Sequence, residues 1–127
     1  GGSIDADNAA SVRASLIIEA ANGPVTPEAD AILARNHTQV LPDILVNGGG
    51  VVVSYLEWRQ NLNHDNWTEA EIASRLRQSM EQSVDRILSR RKALLEGGAE
   101  DVDLRAAALV AAIEHVARVT LQRGIWP

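Results

Sequence analysis

Two short apolar runs precede three longer periodic stretches. SLIIEA, residues 15–20, is almost continuously apolar and is closed by Asn22-Gly23-Pro24, which predicts a buried strand ended by a turn. TQVLPD, residues 38–43, predicts a second strand ended at Pro42. Between them lies TPEADAILAR, in which Thr26 suits an N-cap, Pro27 the first helical position and Glu28 the positive end of a helix. Ala29, Ile32 and Leu33 then mark its apolar face. Strand, helix and strand within about 30 residues predict a βαβ unit and hence a parallel sheet.

NGGGVVVSYLEW, from Asn47 to Trp58, is ambiguous at first reading. As a strand it has no polar face, because Val51, Val53 and Tyr55 alternate with Val52, Ser54 and Leu56. At helical spacing Val51, Tyr55, Trp58 and Leu62 form one stripe, with Arg59, Gln60, Asn61 and Asn63 on other faces. The expected element is a helix with the glycines at its start, despite the modest propensity cost of the valines.

Thr68 and Glu71 form a capping box before a long helix whose expected stripe is Ile72, Leu76, Met80, Val84 and Ile87. SRRKALLEGG places bases in its expected last turns and Gly97-Gly98 at its stop. Asp103 caps a further helix with Ala107, Val110, Ala111, Glu114 and Ala117 near one face, and RGIWP closes it at Gly124. Its many alanines predict close packing against another helix.

Two strands cannot cover so much helical apolar surface, and parallel sheets generally carry more strands and are covered on both faces. The pattern therefore reads as the C-terminal piece of a larger protein, in preference to a complete small α+β domain.

Composition narrows the chemistry. Cysteine is absent, which excludes disulfides, thiolate nucleophiles and zinc–thiolate sites and fits a reducing, cytoplasmic compartment. The net charge of -5 disfavours nucleic acid as a partner. The first twenty residues carry early acids and no long apolar stretch, so they do not read as a secretory leader. The longest apolar run, AAALVAAI at 106–113, is far below the roughly 20 residues that span a bilayer, and no membrane partner is expected. His64 with Asp65 lacks two further ligands at metal-binding spacing, so no metal site is read. Trp58 and Trp67 are expected to be packing anchors, His37 a loop residue, His115 a packed or interface residue, and Asp43 a turn or capping acid.

Both Asn22-Gly23-Pro24 and Asn47-Gly48-Gly49-Gly50 follow expected strands and would share the carboxyl edge of the sheet, where open α/β folds bind ligands. A helix N-terminus offers free N–H groups, glycine permits close approach, and two carboxamides can both donate and accept. On spacing alone, ordinary turn residues are an equal reading of these asparagines and glycines.

EAANGPVTPEAD, VLPDILVNGGGVVVSYLEWRQN and the ending DLRAAALVAAIEHVARVTLQRGIWP resemble, in order, the C-terminal part of the glutamate dehydrogenases, within the glutamate/leucine/phenylalanine/valine dehydrogenases. The resemblance spans about Gly2 to Pro127. It implies an α/β fold in which residues 1–45 end a Rossmann-like, NAD(P)-binding domain and 46–127 form a helical C-terminal tail. It also implies reversible oxidative deamination of L-glutamate to 2-oxoglutarate and ammonium with NAD or NADP, and hexameric assembly.

Carried over by position, the resemblance assigns Ala21, Asn22 and Asn47 to the cofactor, near the nicotinamide and its ribose. It assigns Val51 to the wall against the substrate's carbon chain and Ser54 to the substrate's distal carboxylate. Ala20 and Gly48 depart from the usual pattern by small-for-small exchanges. Leucine-type relatives carry an apolar residue where this chain has Ser54. No catalytic residue falls in this chain: the family's lysine, aspartate and phosphate loop would lie upstream, in a missing N-terminal part. The fragment alone is therefore expected to be inactive. The rival readings are a non-catalytic helical interaction or regulatory fragment, against which intact Asn22, Asn47 and Ser54 weigh, and a leucine-type dehydrogenase, against which Ser54 weighs.

Overall fold

A computed structural model describes residues 1–124. After a short 3-10 turn at Ala9–Ser11, the elements are β1 (Leu16–Ile18), α1 (Pro27–Arg35), β2 (Gln39–Leu41), α2 (Asp43–Val46), α3 (Gly48–Asn63), α4 (Glu69–Glu96) and α5 (Leu104–Arg123). The chain is α/β and mostly helical, with a small parallel sheet. Leu16, Ile17 and Ile18 pair with Gln39, Val40 and Leu41, and α1 makes the crossover. An isolated parallel bridge between Ile4 and Val25 lays the first residues beside the turn that leads into α1. Three residues of the closing RGIWP, 125–127, lie outside the described residues.

Local chemistry starts the helices where the sequence predicts. The Thr26 hydroxyl accepts from the Ala29 amide at 3.3 Å and Asp103 Oδ1 accepts from the Ala106 amide at 2.6 Å. At α4 the capping box is complete, with Thr68 and Glu71 satisfying each other's backbone N–H groups. Helix α4 ends at Glu96 with Gly97 as its C-cap, where the sequence predicts its stop, and the bases Arg90, Arg91 and Lys92 fall within its last two turns but not in the very last. Two of them bind beyond the helix: Arg91 donates to the Val102 carbonyl at 2.6 Å and Arg90 pairs with Glu114 on α5.

Two apolar clusters form the core. Ala9, Val25, Ala29 and Leu33 pack beneath the sheet with Ile4, Val12, Ile17, Ile32 and Val40 around them. Leu33 is fully buried, a contribution of about 1.5–3 kcal/mol. The second cluster, Ile87, Val102, Ala107 and Ala108, lies where α4 meets α5, with Leu45, Leu94 and Leu104 against it. The alanines let the two helices approach closely, as their abundance predicts.

Helix α3 forms, but its expected stripe is not its packed face. Val51, Tyr55, Trp58 and Leu62 are 74, 53, 56 and 59% exposed, while Leu56 is 6% exposed. On a 3.6-residue helix Leu56 lies opposite Asn47 and Ser54, on the side shared with Gly49 and Val52. A Cβ on Gly49 would meet Leu76 Cδ1 at 3.8 Å and Met80 Sδ at 3.9 Å, which identifies this as the side facing α4. The helix is apolar on two sides, and α4 covers only one. Trp58 is accordingly not a packing anchor within this chain; its ring centroid lies 5.9 Å from that of Tyr55. Trp67 is half-buried and lies between two guanidinium groups, Arg75 at 4.2 Å and Arg59 at 5.9 Å from its centroid, which secures the α3–α4 corner. His64 ends α3 in the left-handed region at φ 55°, its N–H donating to the Gln60 carbonyl.

Candidate functional site

Two turns meet at the carboxyl edge of the sheet. Asn47 Nδ2 donates to Asn22 Oδ1 at 2.6 Å, across 25 positions of sequence. That bond leaves the Asn22 NH2 group and the Asn47 carbonyl oxygen available as donors and an acceptor. Ala21 and Asn22 are exposed and Asn47 is half-buried. The expectation that both asparagine turns share one edge agrees with this contact. The route to it differs, because the single helical turn α2 separates β2 from Asn47.

The 21–24 turn is fixed on two sides. Gly23 adopts φ +54°, a left-handed conformation that glycine takes without strain. On one side the Gly23 carbonyl accepts from Gly2 N at 2.8 Å and the Pro24 carbonyl from Ile4 N at 2.9 Å. On the other, the Gly23 amide donates to Asp43 Oδ2 at 2.8 Å. Asp43 Oδ1 also accepts from the Ile44 amide at 2.7 Å, so Asp43 links the 21–24 turn to the first turn of α2, whose N-cap is Pro42. The Gly23 bond, followed by those from Ile44 and the charge of Arg105, holds the Asp43 carboxyl below its ordinary pKa, against the opposing effect of burial.

Behind this edge lies an ionic cluster that sequence reasoning missed. Glu19, whose side chain is fully buried, receives a forked pair of bonds from Arg105: Nη2 to Oε1 at 2.7 Å and Nη1 to Oε2 at 3.0 Å. Arg105 Nε donates to Asp30 Oδ2 at 2.7 Å, and Nη1 lies 3.6 Å from Asp43 Oδ1. The Asp43 amide completes the cluster by donating to Glu19 Oε2 at 2.8 Å. Hydrogen bonding to Glu19, then to Asp30, raises the Arg105 pKa despite partial burial. The one available sequence signal was a glutamate ending an apolar strand, a position that burial normally denies to a lone charge.

From Asn47 the candidate residues run along α3. Asn47, Gly50, Val51, Ser54 and Trp58 fall within about 100° of the helix circumference, so they share a face. Asn47 and Ser54 are separated by about 10 Å along the axis. Val51 and Ser54 are both exposed on this face. None of Gly48, Gly49 or Gly50 has a positive φ, so the backbone does not require glycine there. A Cβ on exposed Gly50 would meet nothing within 4 Å. Neither conformation nor internal packing accounts for Gly50; what its missing side chain provides is room beside Asn47. The face therefore offers carboxamides at one end, an apolar wall at Val51 and a hydroxyl at Ser54. That set suits a ligand with an amide or hydroxyls at one end and an apolar segment followed by an acceptor.

The chain matches the pattern of the Glutamate/Leucine/Phenylalanine/Valine dehydrogenase family over residues 1–124. A glutamate dehydrogenase of Thermotoga maritima is 41% identical over 126 residues, which are 99% of this chain and 29% of that protein. An NAD-specific glutamate dehydrogenase of Staphylococcus aureus is 40% identical over 95% of this chain and 28% of its own length. Among solved structures, the hetero-hexameric glutamate dehydrogenase of Thermus thermophilus in its Leu-bound form superposes with a TM-score of 0.87 at 38% identity, covering 99% of this chain and 29% of that one. The glutamate dehydrogenase of Peptoniphilus asaccharolyticus gives a TM-score of 0.85 at 36% identity, over 97% of this chain and 30% of the other. The chain thus spans under a third of the length of these relatives.

Proposed function

The chain belongs to the Glutamate/Leucine/Phenylalanine/Valine dehydrogenase family, and from that membership we propose that it is the C-terminal segment of an NAD(P)-dependent glutamate dehydrogenase. In this reading residues 1–45 end the Rossmann-like, dinucleotide-binding domain and 46–127 form the helical tail. The enzyme, located in the cytoplasm, interconverts L-glutamate with 2-oxoglutarate and ammonium. The observation that carries the reading is the Asn22–Asn47 pair at one end of the exposed face that also holds Val51 and Ser54.

A nicotinamide dinucleotide, when bound, supplies the acceptor and donor of hydride. The chain's own residues fit that group, since two carboxamides beside the open face at Gly50 match an amide-bearing ring and its ribose hydroxyls. Asn22 and Asn47 bind and orient, Ala21 borders the same turn, Val51 supports the substrate's carbon chain, and Ser54 donates to its distal carboxylate. Such orientation reduces the entropic cost of bringing two reactants together. Proton transfer falls to residues outside this segment, so the isolated chain is expected to turn over no glutamate. Exposed apolar residues on α5, among them Ile113, Val116 and Leu121 at 66, 63 and 77%, support cover by the rest of the enzyme or by neighbouring subunits of a hexamer.

The test is Ser54→Val in the full enzyme carrying this segment. A hydrogen bond to a charged group contributes about 1.5–3 kcal/mol, so glutamate kcat/KM is expected to fall by roughly one to two decades with the fold retained. Unchanged glutamate kinetics would remove Ser54 from the site, and turnover by the pure 127-residue chain would overturn the division of labour.

A further inference from the structure

We infer that Arg105 and Asp43 are positioning residues for the Asn22–Asn47 pair, so that the C-terminal helix α5 sets the geometry of the dinucleotide-binding edge. The inference rests on the functional reading above and extends it to residues that touch neither cofactor nor substrate.

Each asparagine is attached close by to the same guanidinium. Glu19 lies three residues before Asn22 and takes the forked pair from Arg105. Asp43 lies four residues before Asn47, receives the 3.6 Å approach of Arg105, and gives its own amide to Glu19 at 2.8 Å. Asp43 then accepts the amide of Gly23, the residue directly after Asn22, at 2.8 Å. Both halves of the 2.6 Å carboxamide pair are therefore anchored within four residues to one side chain of α5, which itself lies 82 positions beyond Gly23 and 58 beyond Asn47. The Asp30 bond to Nε fixes the remaining edge of the fork, so rotation as well as position is constrained. Apolar contacts could dock α5 with comparable strength, but they would not set direction at the Gly23 amide.

The experiment uses Asp43→Asn in the full enzyme. Asparagine preserves shape but can place an NH2 group where the Gly23 amide needs an acceptor, and it removes the charge facing Arg105. Calorimetric titration with NADH or NADPH, whichever the wild-type enzyme binds, is expected to show about tenfold weaker binding. The KM for the dinucleotide should rise in parallel, while the glutamate KM at saturating dinucleotide stays within about twofold. Arg105→Lys, which keeps the charge and loses the fork, should shift the same constants in the same direction. The double variant should be less than additive, because both changes act on one linkage. A folded Asp43→Asn or Arg105→Lys enzyme with a lowered Tm and an unchanged dinucleotide dissociation constant would show a merely structural role and overturn the inference alone. A wild-type enzyme that binds neither NADH nor NADPH and oxidises no glutamate with either dinucleotide would overturn the functional reading, and the inference with it.

Discussion

Replacing Arg105 by methionine leaves a carboxylate stranded. Glu19 keeps only the Asp43 amide at 2.8 Å and loses both bonds to Arg105, while its side chain remains fully buried. Asp30 loses the bond at 2.7 Å as well. Removing one partner of a buried ion pair costs about 3–5 kcal/mol, because the remaining charge is neither hydrated nor compensated. Arg105 itself is 24% exposed, so the lower end, about 3 kcal/mol, is expected. Folded domains have a total stability of about 5–15 kcal/mol, so the loss is a large fraction of it. With a urea dependence of about 2 kcal/mol per molar, the unfolding midpoint should fall by about 1.5 M, followed by circular dichroism or tryptophan fluorescence. The companion variant carries Glu19→Leu together with Arg105→Met. It removes both charges of the fork, and the midpoint should recover partway, to about 0.5–1 M below wild type, since matched apolar pairs often equal a buried ion pair while the Asp43 amide loses its acceptor and Asp30 its partner. A single variant that shifts by less than about 0.5 M, or a double variant worse than the single, would refute the stranded-charge reasoning.

Two further outcomes are expected. The Asp43 carboxyl titrates below its ordinary value of 3.8 because of the Gly23 bond first, so its contribution to stability is complete above about pH 4 and is lost as pH falls through the folded value. Acid titrations of wild type and Asp43→Asn should therefore converge as pH drops below 4, and parallel curves would contradict the assignment. Gly50→Ala should stabilise α3 by about 0.5 kcal/mol through helix propensity, since its Cβ meets nothing. In the full enzyme the same change should weaken NADH binding; a variant that is more stable and binds NADH equally well would remove Gly50 from the site.

What sequence alone determined about this protein lies within one turn or one strand. Thr26, Thr68 and Asp103 were legible as caps because a cap bonds a backbone amide three residues ahead, whatever the rest of the chain does. The βαβ order was legible because an apolar run, a turn and a 3.6-residue period differ locally. Asn22 and Asn47 were legible as neighbours because strands of a parallel sheet deliver their following turns to the same edge.

Only the tertiary structure decided which side of α3 faces inward. Apolar residues occupy two sides of that helix, and periodicity cannot choose between them; the position of α4 does. Helix α2 escaped because a single turn of four residues is too short to show a period. The Glu19–Arg105 fork escaped because its partners stand 86 positions apart, and an arginine in a helix looks the same whether it meets water or a buried carboxylate. Local hydrogen bonding and period are written in consecutive residues, whereas burial and charge pairing depend on which segments fold against each other. That difference separates the asparagine turns, readable in advance, from the ionic anchor behind them, visible only once the chain is folded.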